Sequence, residues 1–150
     1  MFQHYTFFKG KGHSYSQRNA YDEALTDAGI GEYNLIKTSG VLPKDIVRTN
    51  VPDTHFIDGD KIYVVMNKTS STYGDISSGI GVAMRSDNLG GYVVEDGGEW
   101  GKGITNLKIK CELLEIGKSR HVPLNGFRIK TVDLWVDDGW GCVVAGVILW

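Results

Sequence analysis

Residues 75–85, which read DISSGIGVAMR, indicate the fold class. Apolar residues and one serine occupy every second position from Ile76 to Met84, and they alternate with small or polar residues. This two-residue period is that of a β-strand with two different faces. On either side, residues 61–66 (KIYVVM) and 91–95 (GYVVE) are rich in β-branched and aromatic residues, which favour strands. A run of sheet therefore fills the middle of the chain.

The same reasoning extends the sheet toward both ends of the chain. Residues rich in β-formers predict further strands at 3–8, 33–39, 126–136 and 140–150. The last two strands are joined by the turn Asp137-Asp138-Gly139. Residues 9–17, which contain Gly10 and Gly12, are predicted to be a polar loop.

Two helices are predicted, at about 19–28 and 105–117. In the second helix, apolar residues recur at steps of three and four, which predicts the face that packs on the sheet. The residues of that face are Ile104, Leu107, Cys111 and Leu114, widened by Leu113 and Ile116. Two helices separated by strands indicate an α/β sandwich in which helices cover packed sheets. We see no linker, so residues 1–150 are predicted to form a single domain.

Composition narrows the class of protein. The 150-residue chain is 41% hydrophobic and 23% charged, as in soluble globular proteins. A net charge of -2 gives no reason to expect nucleic acid or an anionic membrane as a partner. The apolar run at residues 141–150 is too short to span a bilayer, and no secretory signal is visible. A cytoplasmic location is predicted, with Cys111 and Cys142 as buried thiols.

Three stretches, in order along the chain, resemble the pyruvoyl-dependent arginine decarboxylase family. They are 20–36 (AYDEALTDAGIGEYNLI), 76–83 with 91–95 (ISSGIGVA and GYVVE), and 141–150 (GCVVAGVILW). The three stretches lie on either side of one Leu-Pro junction, Leu42-Pro43. The resemblance implies a four-layer αββα sandwich that assembles as homotrimers, or as pairs of trimers, with active sites between subunits. In the family a serine cleaves the chain before itself and becomes a pyruvoyl group, which forms a Schiff base with the substrate amine.

The resemblance also implies roles for five residues. Asp22 matches the carboxylate that receives the cationic end of arginine, and Glu95 matches the proton donor that acts after decarboxylation. Glu95 ends an apolar strand, so we expect it to be partly buried, which would keep a proton on it. Asn34 matches an amide that polarises the carbonyl attacked during cleavage. Ile36 and Val41 are assigned to substrate binding.

One position departs from the family. An alignment on Leu42-Pro43 places Gly40 on the reactive serine and Ser39 on the residue before it. Glycine has no side-chain oxygen to start cleavage and no Cβ to become part of a pyruvoyl group. Gly40 is either a natural difference or a substitution that traps the uncleaved form. If the pocket is otherwise intact, Gly40→Ser would restore cleavage, and Ser39 is the one alternative source of the group.

Several functions remain open from the sequence. The chain is a decarboxylase of arginine or a similar cationic amino acid, a non-processing homologue that binds such a metabolite and serves as an accessory subunit or catalyses a different step, or a structural subunit. The carboxylates Asp22 and Glu95 make the structural subunit the least favoured. No metal site is predicted, because the histidines lie at scattered positions without ligand spacing: His4, His13, His55 and His121.

Overall fold

Two β-sheets lie face to face between two helices in the computed structural model, which describes residues 1–50 and 56–150. The elements in chain order are β1 (His4–Ser14), α1 (Gln17–Asp27), β2 (Asn34–Lys37), β3 (Val41–Leu42), β4 (Val47–Arg48), β5 (Lys61–Ser71), β6 (Gly74–Arg85), β7 (Gly91–Gly98), α2 (Lys102–Ser119), β8 (Leu124–Val136) and β9 (Trp140–Leu149). The first sheet has the order β2-β5-β9-β1-β4, and the second has the order β3-β7-β6-β8.

Alternation along the strands builds the four layers. On β9, Val147 faces the second sheet, where it joins Ile80 and Val93, whereas Ile148 faces α1. On the other side of the molecule, α2 packs on the second sheet through Ile109. The order of layers is therefore α1, first sheet, second sheet, α2. The predicted four-layer αββα sandwich is confirmed.

The polar loop predicted at residues 9–17 is wrong, because β1 continues to Ser14 and α1 begins at Gln17. Gly10 and Gly12 lie under α1, where a Cβ atom would be 2.2 Å from the Ala24 carbonyl oxygen and 2.3 Å from the Ala20 carbonyl oxygen, respectively. The glycines therefore mark a close contact of strand and helix, and not a loop.

The predicted buried face of α2 is also wrong. Its buried residues are Thr105, Ile109, Leu113 and Gly117. Ile109 packs against Gly79 and Gly81 of β6, so the helix turns toward the sheet the face that carries Ile109 and the small residues Thr105 and Gly117. Leu113 and half-buried Ile116 do face inward as predicted. The other predicted residues point outward, and we call them the outer stripe: Ile104, Leu107, Cys111 and Leu114.

The two cysteines differ in exposure. Cys142 is buried as predicted, and burial raises the pKa of its thiol to about 11. Cys111 is exposed, so the prediction of a buried thiol there is wrong. Across residues 1–50 and 56–150, no helix has the length and apolar character needed to cross a bilayer.

Candidate functional site

Residues 38–40 cross from the edge of one sheet to the edge of the other. The Thr38 amide donates to the Val64 carbonyl of β5 at 2.9 Å, and the Gly40 carbonyl accepts from the Val93 amide of β7 at 2.8 Å. Backbone hydrogen bonds thus hold both ends of the crossing. Ser39 lies between them and is exposed.

The backbone at Gly40 leaves no room for a side chain. A Cβ atom on residue 40 would lie 2.0 Å from the Val93 carbonyl oxygen and 2.9 Å from its carbonyl carbon. Both atoms belong to the backbone of β7, which cannot rotate away as a side chain can. A pyruvoyl group retains the serine Cβ as its methyl carbon, so the residues present do not fit a pyruvoyl group at position 40.

Glu95 lies near this crossing, two residues beyond Val93 and on the same face of β7. Its Oε2 accepts a hydrogen bond from Asn67 Nδ2 at 3.1 Å, which joins β7 to β5 across the two sheets. The structure therefore brings Glu95 and Gly40 to the same edge of the sandwich. The side chain of Glu95 is exposed in the single chain, so the prediction of partial burial is wrong there.

A polar network that sequence reasoning missed fixes the amide of Asn67. Asn67 Oδ1 accepts from Ser78 Oγ at 2.7 Å and from Thr69 Oγ1 at 3.1 Å, which directs its Nδ2 toward Glu95. Ser78 is fully buried, and the Val143 carbonyl oxygen lies 3.0 Å from its Oγ, where it shares the single O–H of Ser78 with Asn67 Oδ1. One feature of the sequence could have indicated this network: Ser78, a hydroxyl on the otherwise apolar face of residues 76–84.

Asn34 lies at the opposite end of β2 from the crossing. Its Nδ2 donates to the Gly59 carbonyl at 2.8 Å. Thr38 is four positions farther along the strand, a distance of about 13 Å. In a single chain the amide therefore does not reach the carbonyl of Ser39, and it can act there only from a neighbouring copy.

Asp22 is exposed in the middle of α1. Because α1 begins at Gln17, Asp22 is not in its first turn, where its charge would favour the helix dipole. The first sheet lies between α1 and the space where Glu95 meets Asn67. A site that uses both Asp22 and Glu95 therefore requires two copies of the chain.

Val41 lines an apolar groove beside the crossing, whereas Ile36 is half-buried on β2 opposite Tyr63. The groove has a volume of about 750 Å³, and Phe2 and Tyr63 contact each other in its wall, with ring centroids 5.3 Å apart. Lys61 supplies a positive charge to the lining. Such a surface suits the methylene part of a ligand better than a guanidinium.

Two carboxyl groups meet between α2 and the other face of β7: Glu112 of α2 and Asp96 of β7. The pKa of Glu112 is raised to about 7. Burial is the largest cause, and a hydrogen bond with Asp96 and charge repulsion from Asp96 add to it. Lys108 opposes the shift, and its Nζ lies 4.0 Å from Asp96 Oδ2. Glu112 therefore titrates near neutral pH, close to the strand that carries Glu95.

Glu112→Gln should flatten the pH dependence of stability. The native state holds the proton of Glu112 more tightly than the unfolded chain does, so the free energy of unfolding falls as pH rises from about 4.5 to about 7. Glutamine cannot ionise, and since the site is only partly buried we expect the variant to avoid about 1 kcal/mol of this loss. Urea unfolding at pH 5 and pH 8 measures it. Equal pH dependence in both proteins would contradict the prediction, and Glu32→Gln, which changes an exposed glutamate outside α2, is the control.

Three of the four histidines lie in the described part of the chain, and His55 lies outside it. Among residues 1–50 and 56–150, no group of three or more His, Cys, Asp or Glu side chains is placed to hold a metal ion.

Comparison with known proteins gives a consistent result. A family model described as pyruvoyl-dependent arginine decarboxylase matches residues 4–150. The chain is 32% identical over 148 residues to the pyruvoyl-dependent arginine decarboxylase of Methanococcus aeolicus, covering 94% of this chain and 86% of that one. It is 29% identical over 147 residues to that of Methanopyrus kandleri, covering 97% and 95%. A solved structure of pyruvoyl-dependent histidine decarboxylase matches with a TM-score of 0.47 and 16% identity, over 66% of this chain and 53% of that chain.

Proposed function

Because the chain belongs to the pyruvoyl-dependent arginine decarboxylase family, we propose that it is an uncleaved member that binds arginine or a similar cationic amino acid. The contact between Gly40 and Val93 carries this proposal. Residue 40 has no hydroxyl to start cleavage, and the Val93 carbonyl occupies the space that a Cβ atom would need. The chain would then act as a binding or accessory protein in the cytoplasm.

Binding in this proposal is assigned to the two carboxylates. Asp22 receives the guanidinium, since a carboxylate can accept two parallel N–H···O bonds from it. Glu95, held by Asn67, accepts from the ammonium group of the ligand. The two carboxylates lie on opposite sides of the first sheet, so the proposed site is completed between neighbouring copies of a trimer. The apolar groove at Val41 contacts the methylene part of the ligand.

A decarboxylase that forms its pyruvoyl group from Ser39 is the second candidate. Ser39 is exposed, and it carries the hydroxyl and the Cβ that Gly40 lacks. Against this candidate, adjacent residues in an extended segment point to opposite faces, so a shift of one residue turns the group away from the family's position.

The purified protein should remain one chain of 16.5 kDa. No hydroxyl at residue 40 can attack the preceding carbonyl, so the backbone stays intact. Intact mass and a denaturing gel are the measurements. Two fragments that divide between Thr38 and Ser39 would overturn the proposal and establish the second candidate.

Arginine should bind, and Asp22→Asn should weaken its binding about tenfold or more, because a hydrogen bond between charged groups contributes about 1.5–3 kcal/mol. Isothermal titration with arginine measures this, and analysis of the same samples for agmatine checks for turnover. Glu32→Gln, which changes another exposed carboxylate, should bind as the unchanged protein does. Agmatine formation by the intact chain, or binding that ignores Asp22→Asn, would contradict the proposal.

A further inference from the structure

The outer stripe of α2 is an apolar surface without a partner in the single chain. Its large residues Ile104, Leu107 and Leu114 are 52%, 64% and 53% exposed, respectively. With Cys111, they follow one another at steps of three, four and three residues, which is the spacing of a coiled-coil seam. The stripe lies opposite the face that holds Ile109 against the sheet.

We propose that α2 pairs antiparallel with α2 of a second copy of this chain, about a two-fold axis near Cys111. This inference does not depend on the proposed function. About such an axis, Leu107 of one copy lies opposite Leu114 of the other, and each Cys111 lies opposite its own counterpart. A two-fold contact of this kind uses the same surface on both copies and closes on itself.

The charges beside the stripe are self-complementary for this arrangement. Lys108 and Glu115 lie on the same flank of α2, seven residues apart, and their midpoint lies next to Cys111. In an antiparallel pair, Lys108 of each copy therefore meets Glu115 of the other, and the contact forms twice. Within its own chain, Lys108 lies 4.0 Å from Asp96 Oδ2 and has a side chain 44% exposed, so it remains open on one side.

A second apolar surface continues the stripe at the C-terminal end of α2. Leu114, Val122, Pro123 and Leu124 line a groove of about 510 Å³ there. In the antiparallel arrangement, Ile104 of the second copy falls near residue 118, beside this groove. The aliphatic stem of Lys118 can cover Ile104 while its ammonium group stays in water. Each end of the pair thus buries an isoleucine that a single chain exposes.

The position of Cys111 provides a direct test. Cys142 is buried, so a short bismaleimide should join only Cys111 of one copy to Cys111 of another. We expect a band at twice 16.5 kDa on a denaturing gel, formed at 50 µM protein and absent in Cys111→Ser. Leu107→Glu, which places a charge in the seam, should reduce the band at least fivefold. Leu89→Glu changes an equally exposed leucine away from α2 and should leave the band unchanged.

A charge exchange tests the antiparallel geometry itself. Glu115→Lys alone places two lysines opposite each other on each side of the axis and should reduce cross-linking. Adding Lys108→Glu to that variant restores opposite charges between the copies and should recover the band. A band insensitive to Leu107→Glu, no band at all, or no recovery in the double variant would each overturn the proposal.

Discussion

Gly40→Ser should leave the chain uncleaved and lower its free energy of unfolding by about 2–4 kcal/mol. The sequence alone predicts the opposite, namely that returning the serine restores cleavage. The structure changes that expectation because the Cβ, and not the hydroxyl, meets the obstacle: it would lie 2.0 Å from the Val93 carbonyl oxygen. To admit it, β3 must separate from β7 and the bond between the Gly40 carbonyl and the Val93 amide must break.

Gly40→Ala is the matched control for this experiment, because it adds the same Cβ without an oxygen. Both variants should lose similar stability in urea unfolding, and both should give one band on a denaturing gel. Cleavage of Gly40→Ser, with Gly40→Ala intact, would show that the crossing relaxes enough to place the hydroxyl at the Ser39 carbonyl. The missing serine side chain alone, and not the contact with Val93, would then explain why the chain stays uncleaved.

Gly12→Ala should lower the free energy of unfolding by about 3 kcal/mol or more. The new Cβ would lie 2.3 Å from the Ala20 carbonyl oxygen and 2.6 Å from the Ala24 amide nitrogen. These are backbone atoms of α1, so the whole helix must move away from β1. That movement would open the contact through which Ala20 and Ala24 bury their methyl groups.

Gly103→Ala is the control for the substitution at Gly12. Nothing lies within 4 Å of a Cβ at Gly103, in the first turn of α2. Alanine favours a helix over glycine, so this variant should be unchanged or more stable by up to about 1 kcal/mol. Thermal or urea unfolding measures the free energy of unfolding of both variants, so that the two losses can be compared. A loss of less than about 0.5 kcal/mol in Gly12→Ala would mean that α1 does not pack on β1 as closely as the structure has it.

The sequence predicts an element of the fold correctly where the pattern is set by residues within that same helix or strand. The period of residues 75–85 locates β6 because a strand alternates faces whatever lies opposite. The face of α2 was not predictable in this way, because two faces of the helix carry apolar residues. Gly79 and Gly81 on another strand decide between them, since they accept Ile109.

The resemblance supplied candidate residues for the site, but it could not predict how they are arranged. The resemblance located Gly40 and Glu95, and the structure brings them to one edge of the sandwich. It could not indicate that the Val93 carbonyl fills the space at Gly40, or that Asn67 holds Glu95. Both contacts join residues far apart in sequence, and their distances depend on how two sheets meet.

The crossing at residues 38–40 has a consequence for how the protein folds. If the backbone between β2 and β3 is unbroken, as proposed, the folding of each chain is a first-order process, and only the assembly of copies depends on protein concentration. Were the chain divided there, β1, α1 and β2 would belong to a separate polypeptide. That piece would have to find β9 by diffusion before the ladder from Tyr5–Leu149 to Ser14–Trp140 could form. In the proposed uncleaved chain, the crossing would keep the two halves at a high effective concentration, and dilution could not separate them.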